Sequence, residues 1–310
     1  MFKSLRSSEG FLVSYKSLLK SLFMPDPAST LMFGSHPNLS FDVPRLMAIV
    51  NATPDSFSDG GLLCNANGID RDATLLRLQQ VVTEGADIID IGGESTRPGA
   101  SFVSVQEEMD RVLPVLELAV AETGLAISID TSSPELMLEA ASKGAHLIND
   151  VRALSRAGAA KAVAKTGLPV CLMHMQGTPE SMQVSPNYQN VVNDVRSYLQ
   201  ARIDVCMAAG VDPKNICIDP GFGFGKTLQH NLLLLKYLSE LQCLGVPLLV
   251  GLSRKSMIDC LLARELKDRL PASLALGLMS LERGANILRV HDVRATRDIM
   301  DTFIAIKSCA

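Results

Sequence analysis

The sequence predicts an α/β fold, a (β/α)8 TIM barrel, from two observations. Short runs rich in Val, Ile and Leu alternate with longer segments of helical periodicity, which is the pattern of βα units in a parallel sheet. Eight such runs follow residue 44, and eight βα repeats close a barrel. The chain has 310 residues and is 47% hydrophobic, enough for the core of one such domain. We expect one barrel over residues 45–310 and a short N-terminal extension over residues 1–44.

The eight apolar runs are the expected barrel strands. They are LMAIV before Asn51, DIIDIGG (87–93), AISID (126–130), HLIND (146–150), PVCLMHM (169–175), ICIDPG (216–221), PLLVGLS (247–253) and ILRVHDV (287–293). Each interval is long enough for one helix. Two helices have N-terminal signatures, Ser104 ahead of Glu107 and Ser133 ahead of Pro134. The long interval after His174 predicts an extended loop.

Residues 1–44 fit several interpretations. Basic residues alternate with Leu, Phe and Ser up to residue 20, and MPDPAST then breaks the pattern. An organelle transit segment, a peripheral amphipathic helix, or an extension whose true start is Met24 or Met32 would have this composition. Glu9 and the lack of an Arg bias weaken the transit interpretation, so a plain extension is favoured. A short β-hairpin from Leu31 to Val43 that closes the bottom of the barrel is a further alternative.

Composition excludes several classes of protein. A net charge of −4 provides no basic field that would attract nucleic acid. No run of uncharged apolar residues is long enough for a membrane span, so no membrane association is expected. The seven cysteines contain no C-x-x-C pair. We therefore expect reduced thiols in a cytoplasmic protein, with neither disulfides nor a zinc site.

Nearly every predicted strand ends in groups that are able to bind or react. In a barrel, the carboxyl ends of the strands converge on one mouth, where catalytic loops lie. Polar groups there must be desolvated or paired, and a structural protein has no reason to accept that cost at every strand. The pattern therefore predicts an enzyme. The residues are Asn51, Glu94 to Arg97, Asp130, Asn149, Asp150, His174, Asp219, Ser253 to Lys255, Arg289 and His291.

Two other motifs do not support a site. GFGFGKT (221–227) has Pro220 where a phosphate loop of the G-x-x-x-x-G-K-[ST] type requires Gly. The segment also lacks the G-x-G-x-x-G spacing of a dinucleotide site. His174 stands in MHM with no second His nearby, so a His-rich metal centre is weakly supported.

Eight motifs together carry a family resemblance. They are NATPDSFSDGG, DIGGESTRPGA, SIDTSSPE, HLINDV, LMHMQGTPE, IDPGFGFGK, LVGLSRKSMI and RVHDV. In this order and spacing, nearly all of residues 45–310 resembles the dihydropteroate synthase family. The resemblance implies a TIM-barrel transferase that condenses 6-hydroxymethyl-7,8-dihydropterin pyrophosphate with p-aminobenzoate, releasing pyrophosphate and yielding dihydropteroate for folate synthesis. It also implies Mg²⁺ (magnesium) as cofactor, inhibition by sulfonamides, and a homodimer.

The resemblance implies a binding site for the pterin diphosphate. A carboxylate and an amide complement the donors and acceptors of the pterin edge, which suits Asp219 and Asn149, while Lys255 would donate to ring acceptors. Arg289 and His291 alternate along the last strand, so both face the mouth as an anion clamp. The implied residues are Asp130, Asn149, Met173, Asp219, Gly223, Phe224, Lys255, Arg289 and His291.

These residue types also have plain structural alternatives. Asp130, Asn149 and Asp219 could cap the helices that follow their strands. His291 could be a core histidine bonded to backbone, and Arg289 could form a salt bridge at the rim.

The resemblance also places the second substrate, the metal and the catalytic groups. It implies Asn51 as a ligand of a Mg²⁺ ion that bridges the diphosphate. The segment 55–61 has the alternative of an ordinary surface turn. The residues implied around p-aminobenzoate are Phe57, Thr96, Arg97, Pro98, Phe224 and Ser256. The implied catalytic residues are Asp130, Lys255, Arg289 and His291, with Asp55 and Asp59 in the first loop.

Two rival functions remain. A methyltetrahydrofolate-dependent methyltransferase that delivers a methyl group to a corrinoid would share the pterin-binding Asp and Asn residues. It has no need of RVHD, SRK and the TPDSF loop as a diphosphate and arylamine site. A non-catalytic paralogue that binds pterin would be signalled by a missing metal or diphosphate ligand, but Asn51, Lys255, Arg289 and His291 are all present.

Overall fold

The computed structural model describes residues 36, 39–53, 63–65, 68–95, 103–178 and 181–309. Within them, eight parallel strands form the barrel, and all eight predicted runs contain one. The strands are β1 (Arg45–Asn51), β2 (Ile88–Gly92), β3 (Ala126–Asp130), β4 (Leu147–Asp150), β5 (Val170–Met173), β6 (Ile216–Asp219), β7 (Leu249–Val250) and β8 (Ile287–Val290). The last strand ends at Val290. His291, which was predicted to lie on this strand, therefore follows it.

Strand pairing closes the barrel. The hydrogen-bonded order is β6-β5-β4-β3-β2-β1-β8-β7. The two ends of this order, β6 and β7, meet at a parallel bridge between Ile218 and Leu248. Beside it, the Ile218 backbone N–H donates to Pro247 O at 2.9 Å. The eight-stranded βα barrel predicted from the sequence is confirmed.

Helices cover the outside of this barrel. They are α1 (Arg71–Thr83), α2 (Val105–Glu122), α3 (Pro134–Ser142), α4 (Ala159–Thr166), α5 (Val191–Ala208), α6 (Leu228–Lys236), α7 (Ser256–Leu262), α8 (Leu270–Glu282) and α9 (Val293–Lys307). Short 3-10 turns lie at Pro213–Asn215, Leu238–Leu244 and Leu266–Asp268, and two-residue strands pair at Cys64–Asn65 and Gly68–Ile69. The loop from His174 to Asn190 contains no helix or strand among its described residues, as its length predicts. No described helix is long and apolar enough to cross a membrane.

One of the two predicted helix caps is correct in detail. The Ser104 side chain accepts from Glu107 N at 3.2 Å, as expected at the start of α2. Ser133 does precede Pro134 at the start of α3, but its hydroxyl makes no capping bond. It donates instead to the buried carboxylate of Glu108 at 2.6 Å. The same hydroxyl oxygen accepts from Arg156 at 3.1 Å, so two charged side chains, and not the helix N–H groups, orient the hydroxyl.

The core has two parts. Outward-facing strand residues such as Ile89 and Ile127 pack under the helices, while a smaller apolar cluster fills the bottom of the barrel. Leu39 is fully buried in that lower cluster and Phe41 packs against it, so part of the predicted extension plugs the barrel. The predicted hairpin over residues 31–43 lies mostly outside the described residues. The strand residues of the lower cluster are Met47, Ile88, Ala126, Leu147, Cys171, Cys217, Leu249 and Ile287.

Candidate active site

A polar layer lies inside the barrel directly above the apolar cluster. Side chains two residues apart on a strand point to the same face. The strand residues two positions after those of the lower cluster therefore also point into the barrel. They lie nearer the carboxyl ends of the strands. Most of them are buried. They include Asp90, Ser128, Asn149, Met173, Asp219 and Arg289. Four of these six were predicted from the sequence as site residues.

Strand register brings three predicted residues into one row. Asn51 is the Cα partner of Gly92, Gly92 is the partner of Asp130, and Asp130 is the partner of Asn149. Gly92 has no side chain, and the oxygens Asn51 Oδ1 and Asp130 Oδ2 each lie 3.8 Å from the position that a Cβ would occupy there. The glycine therefore leaves a shared space between the amide and the carboxylate.

Arg289 joins two carboxylates at the centre of the mouth. Its Nε donates to Asp90 Oδ2 at 2.6 Å and its terminal nitrogen donates to Asp130 Oδ2 at 2.9 Å. The Asn149 amide donates to the same Asp90 oxygen at 3.2 Å. The guanidinium thus ties β8 to β2 and β3, and Asp90 links β4 to the same group. Charge-assisted bonds of this kind fix orientation as well as adding energy.

Burial changes the proton affinity of this cluster. It raises the pKa of Asp130 to about 8, although the Arg289 guanidinium acts in the opposite direction. Burial alone would lower the pKa of Arg289, but the Asp90 and Asp130 carboxylates outweigh it and the net shift is upward. Arg289 is therefore always charged, while burial favours the protonated form of Asp130.

Asp219 and Met173 form the opposite wall. They are Cα partners on β6 and β5, and both side chains are buried. Gly221 N donates to Asp219 Oδ1 at 2.7 Å, and burial raises the pKa of this carboxyl. The sequence alternative of a helix cap does not apply to Asp219, because α6 begins nine residues later and is capped by Thr227.

Lys255 lies against the loop that follows β6. Its Nζ is 4.2 Å from the centroid of the Phe224 ring, within the range of a cation–π contact. Gly223 has a φ of +80°, and a Cβ there would lie 3.3 Å from Lys255 Cδ. The positive φ favours glycine at this position, and a side chain here would also push against the lysine. The predicted Gly223, Phe224 and Lys255 are brought together.

His291 is held by the neighbouring loop. Ser253 Oγ accepts from the His291 backbone N–H at 3.2 Å and lies 3.2 Å from His291 Nδ1. The backbone N–H and the Nδ1 atom of His291 thus both meet the Ser253 hydroxyl, which fixes the orientation of the ring. Next to it, Arg254 pairs with Asp292, with Nε to Oδ2 at 2.8 Å. These contacts bind the loops after β7 and β8 to each other.

The residues predicted around p-aminobenzoate are only partly described. Ser256 is the first residue of α7 and is exposed beside Lys255. The base of the second loop is anchored where Glu94 accepts two bonds from Arg152, both at 3.0 Å. Six predicted residues lie outside the described ranges: Asp55, Phe57, Asp59, Thr96, Arg97 and Pro98.

Two buried ionisable residues of this region were not predicted as functional. Asp90 is fully buried, and its Oδ1 has no hydrogen-bond partner within the described part of the chain. Lys226 is 3% exposed. Both had a signal in the sequence, since an acid between two isoleucines in DIIDIGG and a lone lysine in a glycine-rich apolar loop must each find partners if buried.

A closed barrel with convergent polar groups at its carboxyl end is the architecture of an enzyme that binds a small molecule. The family model described as pterin binding enzyme matches residues 47–291, which span β1 to the residue after β8. The fold and the mouth therefore define the class as a pterin-binding barrel.

Individual relatives narrow this class. The chain is 48% identical over 269 residues to dihydropteroate synthase of Escherichia coli, covering 87% of this chain and 94% of that protein. The Yersinia pestis dihydropteroate synthase, solved with a sulfonamide drug, superposes with a TM-score of 0.83 at 48% identity and covers 89% of this chain and 99% of its own. The chain belongs to the dihydropteroate synthase family, and the resemblance predicted from its motifs is confirmed.

Solved relatives also contain ligands of this family. A Xanthomonas albilineans dihydropteroate synthase contains 4-aminobenzoic acid, with a TM-score of 0.81, 47% identity and coverage of 88% of this chain and 96% of its own. A second structure from that organism contains 7,8-dihydropteroate, with a TM-score of 0.78, 44% identity and coverage of 88% and 97%.

Proposed function

We propose that this protein is a transferase that condenses 6-hydroxymethyl-7,8-dihydropterin pyrophosphate with p-aminobenzoate, giving 7,8-dihydropteroate and pyrophosphate in folate biosynthesis. One observation carries the proposal: 48% identity over 94% of the length of the E. coli synthase. The ligands of the Xanthomonas albilineans relative, 4-aminobenzoic acid and 7,8-dihydropteroate, are a substrate and the product of that reaction.

The pterin ring is proposed to enter the buried polar layer. Asp219 accepts from the amino and ring N–H donors of the pyrimidinone edge, and Asn149 supplies an amide beside it. Lys255 donates to the ring acceptors from the side where Phe224 lies 4.2 Å away. Met173, the Cα partner of Asp219, offers an apolar contact to the ring. Asp130 contacts the pterin from the opposite wall, with Gly223 lining the entrance beside Lys255.

The diphosphate is proposed to bind at Arg289 and His291. A guanidinium has five N–H donors, and the contacts to Asp90 and Asp130 use two of them. The Ser253 contact at Nδ1 orients the His291 ring, and with Ser253 donating to Nδ1 the Nε2–H would donate to a phosphate oxygen. Both groups stabilise the charge that concentrates on pyrophosphate as it departs.

The reaction is a displacement at the exocyclic methylene carbon of the pterin. The bond from this carbon to the diphosphate oxygen breaks, and the arylamine nitrogen supplies the electron pair of the new C–N bond. The nitrogen then loses one proton to pyrophosphate or water. A neutral arylamine needs no strong base, so the residues of the mouth act by positioning and by electrostatic stabilisation.

The p-aminobenzoate ring is proposed to lie at the rim. Phe224 offers a flat apolar wall, and Ser256, at the start of α7, supplies a hydroxyl and a backbone N–H to the carboxylate. The family resemblance adds Phe57, Thr96, Arg97 and Pro98, and it adds Asp55 and Asp59 as loop residues near the reacting carbon.

A Mg²⁺ ion is proposed to bind at Asn51. Magnesium prefers oxygen ligands, keeps several waters, and is commonly held by one or two protein groups together with substrate phosphates. Asn51 Oδ1 faces the space above Gly92 that it shares with Asp130, which fits a site with one amide ligand. When bound, the ion would neutralise charge on the diphosphate.

A homodimer and a cytoplasmic location are also proposed. Exposed apolar side chains on two successive outer helices, α7 and α8, support a contact between subunits: Leu261, Leu262, Leu278 and Met279. Sedimentation velocity at several concentrations tests the dimer; a monomer at all of them would contradict it.

The cysteines support the cytoplasmic location. Six cysteines in the described part of the chain are free thiols, which suits a reducing compartment.

The test of the reaction is pyrophosphate release from the pterin substrate with Mg²⁺, with and without p-aminobenzoate, while dihydropteroate is followed in parallel. Stoichiometric release and product formation that require p-aminobenzoate are the expected result. A folded protein that binds pterin without turnover would refute the synthase and favour a methyltransferase or a non-catalytic pterin-binding protein.

A further inference from the structure

Lys226 is a buried lysine that follows the loop from Gly221 to Gly225. Its Nζ lies 2.8 Å from Gly221 O, 3.0 Å from Phe224 O and 2.9 Å from His174 Nδ1. Burial lowers the pKa of Lys226 to about 7, although the Asp219 carboxylate acts in the opposite direction. In the protonated form, the ammonium has three N–H donors, and each of them has an acceptor here. Burial lowers the pKa of His174 to about 2, with Lys226 adding to that shift, so the ring is neutral and Nδ1 can accept.

The loop bends around this ammonium. Gly221, Gly223 and Gly225 all have positive φ, a conformation that glycine adopts readily. The carbonyls of Gly221 and Phe224 meet Lys226 on the inner side. On the outer side, Gly223 O accepts from Gln183 Nε2 at 2.6 Å and Gly225 O accepts from Tyr188 at 2.7 Å.

The loop also packs directly on the end of β5. A Cβ at Gly221 would lie 1.9 Å from His174 O, so only glycine permits this approach. His174 N in turn donates to Asp219 O at 2.9 Å. The Lys226 ammonium therefore holds a loop that starts two residues after Asp219 and is anchored to the neighbouring strand.

This loop carries Phe224, whose ring faces Lys255 Nζ. Moving the loop would change the position of the Phe224 ring and therefore the environment of Lys255. Lys226 is 3% exposed and its three donors are engaged by the protein, so it is suited to act through the loop and not by touching a substrate.

We propose that Lys226 is a positioning residue whose ammonium folds the 221–225 loop onto His174 and so sets Phe224 against Lys255 at the pterin end of the mouth. The inference rests on the proposed function, because the value of this arrangement lies in binding the pterin substrate. It predicts a loss of pterin affinity that is separate from any loss of stability.

The main test is Lys226→Met, which keeps the length of the side chain and removes its donors. Leu234→Ala is the matched control, since Leu234 is fully buried in α6 and is not part of the loop. We expect Lys226→Met to raise the KM for the pterin substrate and the Kd for the dephosphorylated pterin by about tenfold, the effect of roughly one charged hydrogen bond, with kcat nearly unchanged. Leu234→Ala should lower the melting temperature and leave both constants unchanged.

Equal KM changes in the two variants, or an unchanged pterin Kd in Lys226→Met, would overturn the proposal and leave Lys226 a purely structural residue. The Kd is measured without turnover, so this outcome is distinct from a failure of the synthase reaction in the wild-type protein.

A second measurement covers the case in which Lys226→Met does not fold. The chain has no tryptophan, so Phe224→Trp places a single reporter on the loop. In that background, His174→Ala removes one of the three acceptors of the Lys226 ammonium. Relative to Phe224→Trp alone, we expect the tryptophan emission of the double variant to shift to longer wavelength and its Kd for pterin to rise. Unchanged emission and Kd would contradict the coupling between His174, Lys226 and Phe224.

Discussion

Asp90 provides the sharpest test of how the mouth is built. It is fully buried on β2 and accepts from Arg289 Nε at 2.6 Å and from Asn149 at 3.2 Å, so one carboxylate orients two residues proposed to bind substrate. Asp90→Asn removes the charge but keeps the shape of the side chain. The expected result is a less stable protein with weak affinity for the pterin diphosphate.

The magnitude follows from the contacts. Breaking a buried ion pair by removing one partner costs about 3 to 5 kcal/mol. Arg289 keeps its 2.9 Å bond to Asp130, and the asparagine oxygen can still accept, so we expect a value near the lower end, about 3 kcal/mol. For a domain of this size, that corresponds to a fall in melting temperature of roughly 5 °C. The affinity for the diphosphate substrate should fall by at least about tenfold, since Arg289 loses the charge of one of the two carboxylates that orient its guanidinium.

The matched control lies at the other end of the barrel. Asp87 immediately precedes β2 and accepts from Arg297 and from Leu46 N, the latter at 2.8 Å. Asp87→Asn makes the same chemical change at the bottom of the barrel, so it should lower the melting temperature without changing substrate affinity. Thermal unfolding and titration with the pterin diphosphate measure both effects. If Asp90→Asn binds the diphosphate as tightly as Asp87→Asn does, then Asp90 does not position Arg289.

Three further predictions concern the metal, the protonation of the mouth and the second substrate. Asn51→Ala should raise the Mg²⁺ concentration required for half-maximal activity severalfold, with chelation by EDTA stopping wild-type turnover; an unchanged requirement would remove Asn51 from the metal site. The pKa of Asp130 is raised from 3.8 to about 8, so the folded state binds the extra proton and Asp130 costs stability progressively as pH rises between those values. The free energy of unfolding should therefore fall more steeply with pH from about 4 to 8 in wild type than in Asp130→Asn, as measured by denaturant titration; parallel curves would show that the shift is absent. The family resemblance implies that a sulfonamide competes with p-aminobenzoate, so the drug should raise the apparent KM for p-aminobenzoate and leave kcat unchanged; noncompetitive kinetics would place the drug elsewhere.

The eight strands were predictable because each is a short apolar run bounded by polar loops, and burial on both faces requires such runs in a parallel sheet. The residues at their carboxyl ends were predictable as a group for the same reason, since a barrel brings these ends together. Ser133 shows the limit of local rules. Its position before Pro134 marked the start of α3, but the direction of its hydroxyl depended on Glu108, which is 25 residues away in the sequence.

The family, the order of strands and helices, and the residue types at the mouth can be read from the sequence, because they depend on local periodicity and on motifs in a fixed order. Which of those groups bind one another depends on the three-dimensional fold. The row from Asn51 to Asn149 depends on strand register, and the contact of Arg289 with Asp90 joins residues 199 positions apart. The burial of Lys226 against His174 likewise comes from the packing of two loops. Such contacts follow from the closure of the barrel, which brings together side chains that no local pattern relates.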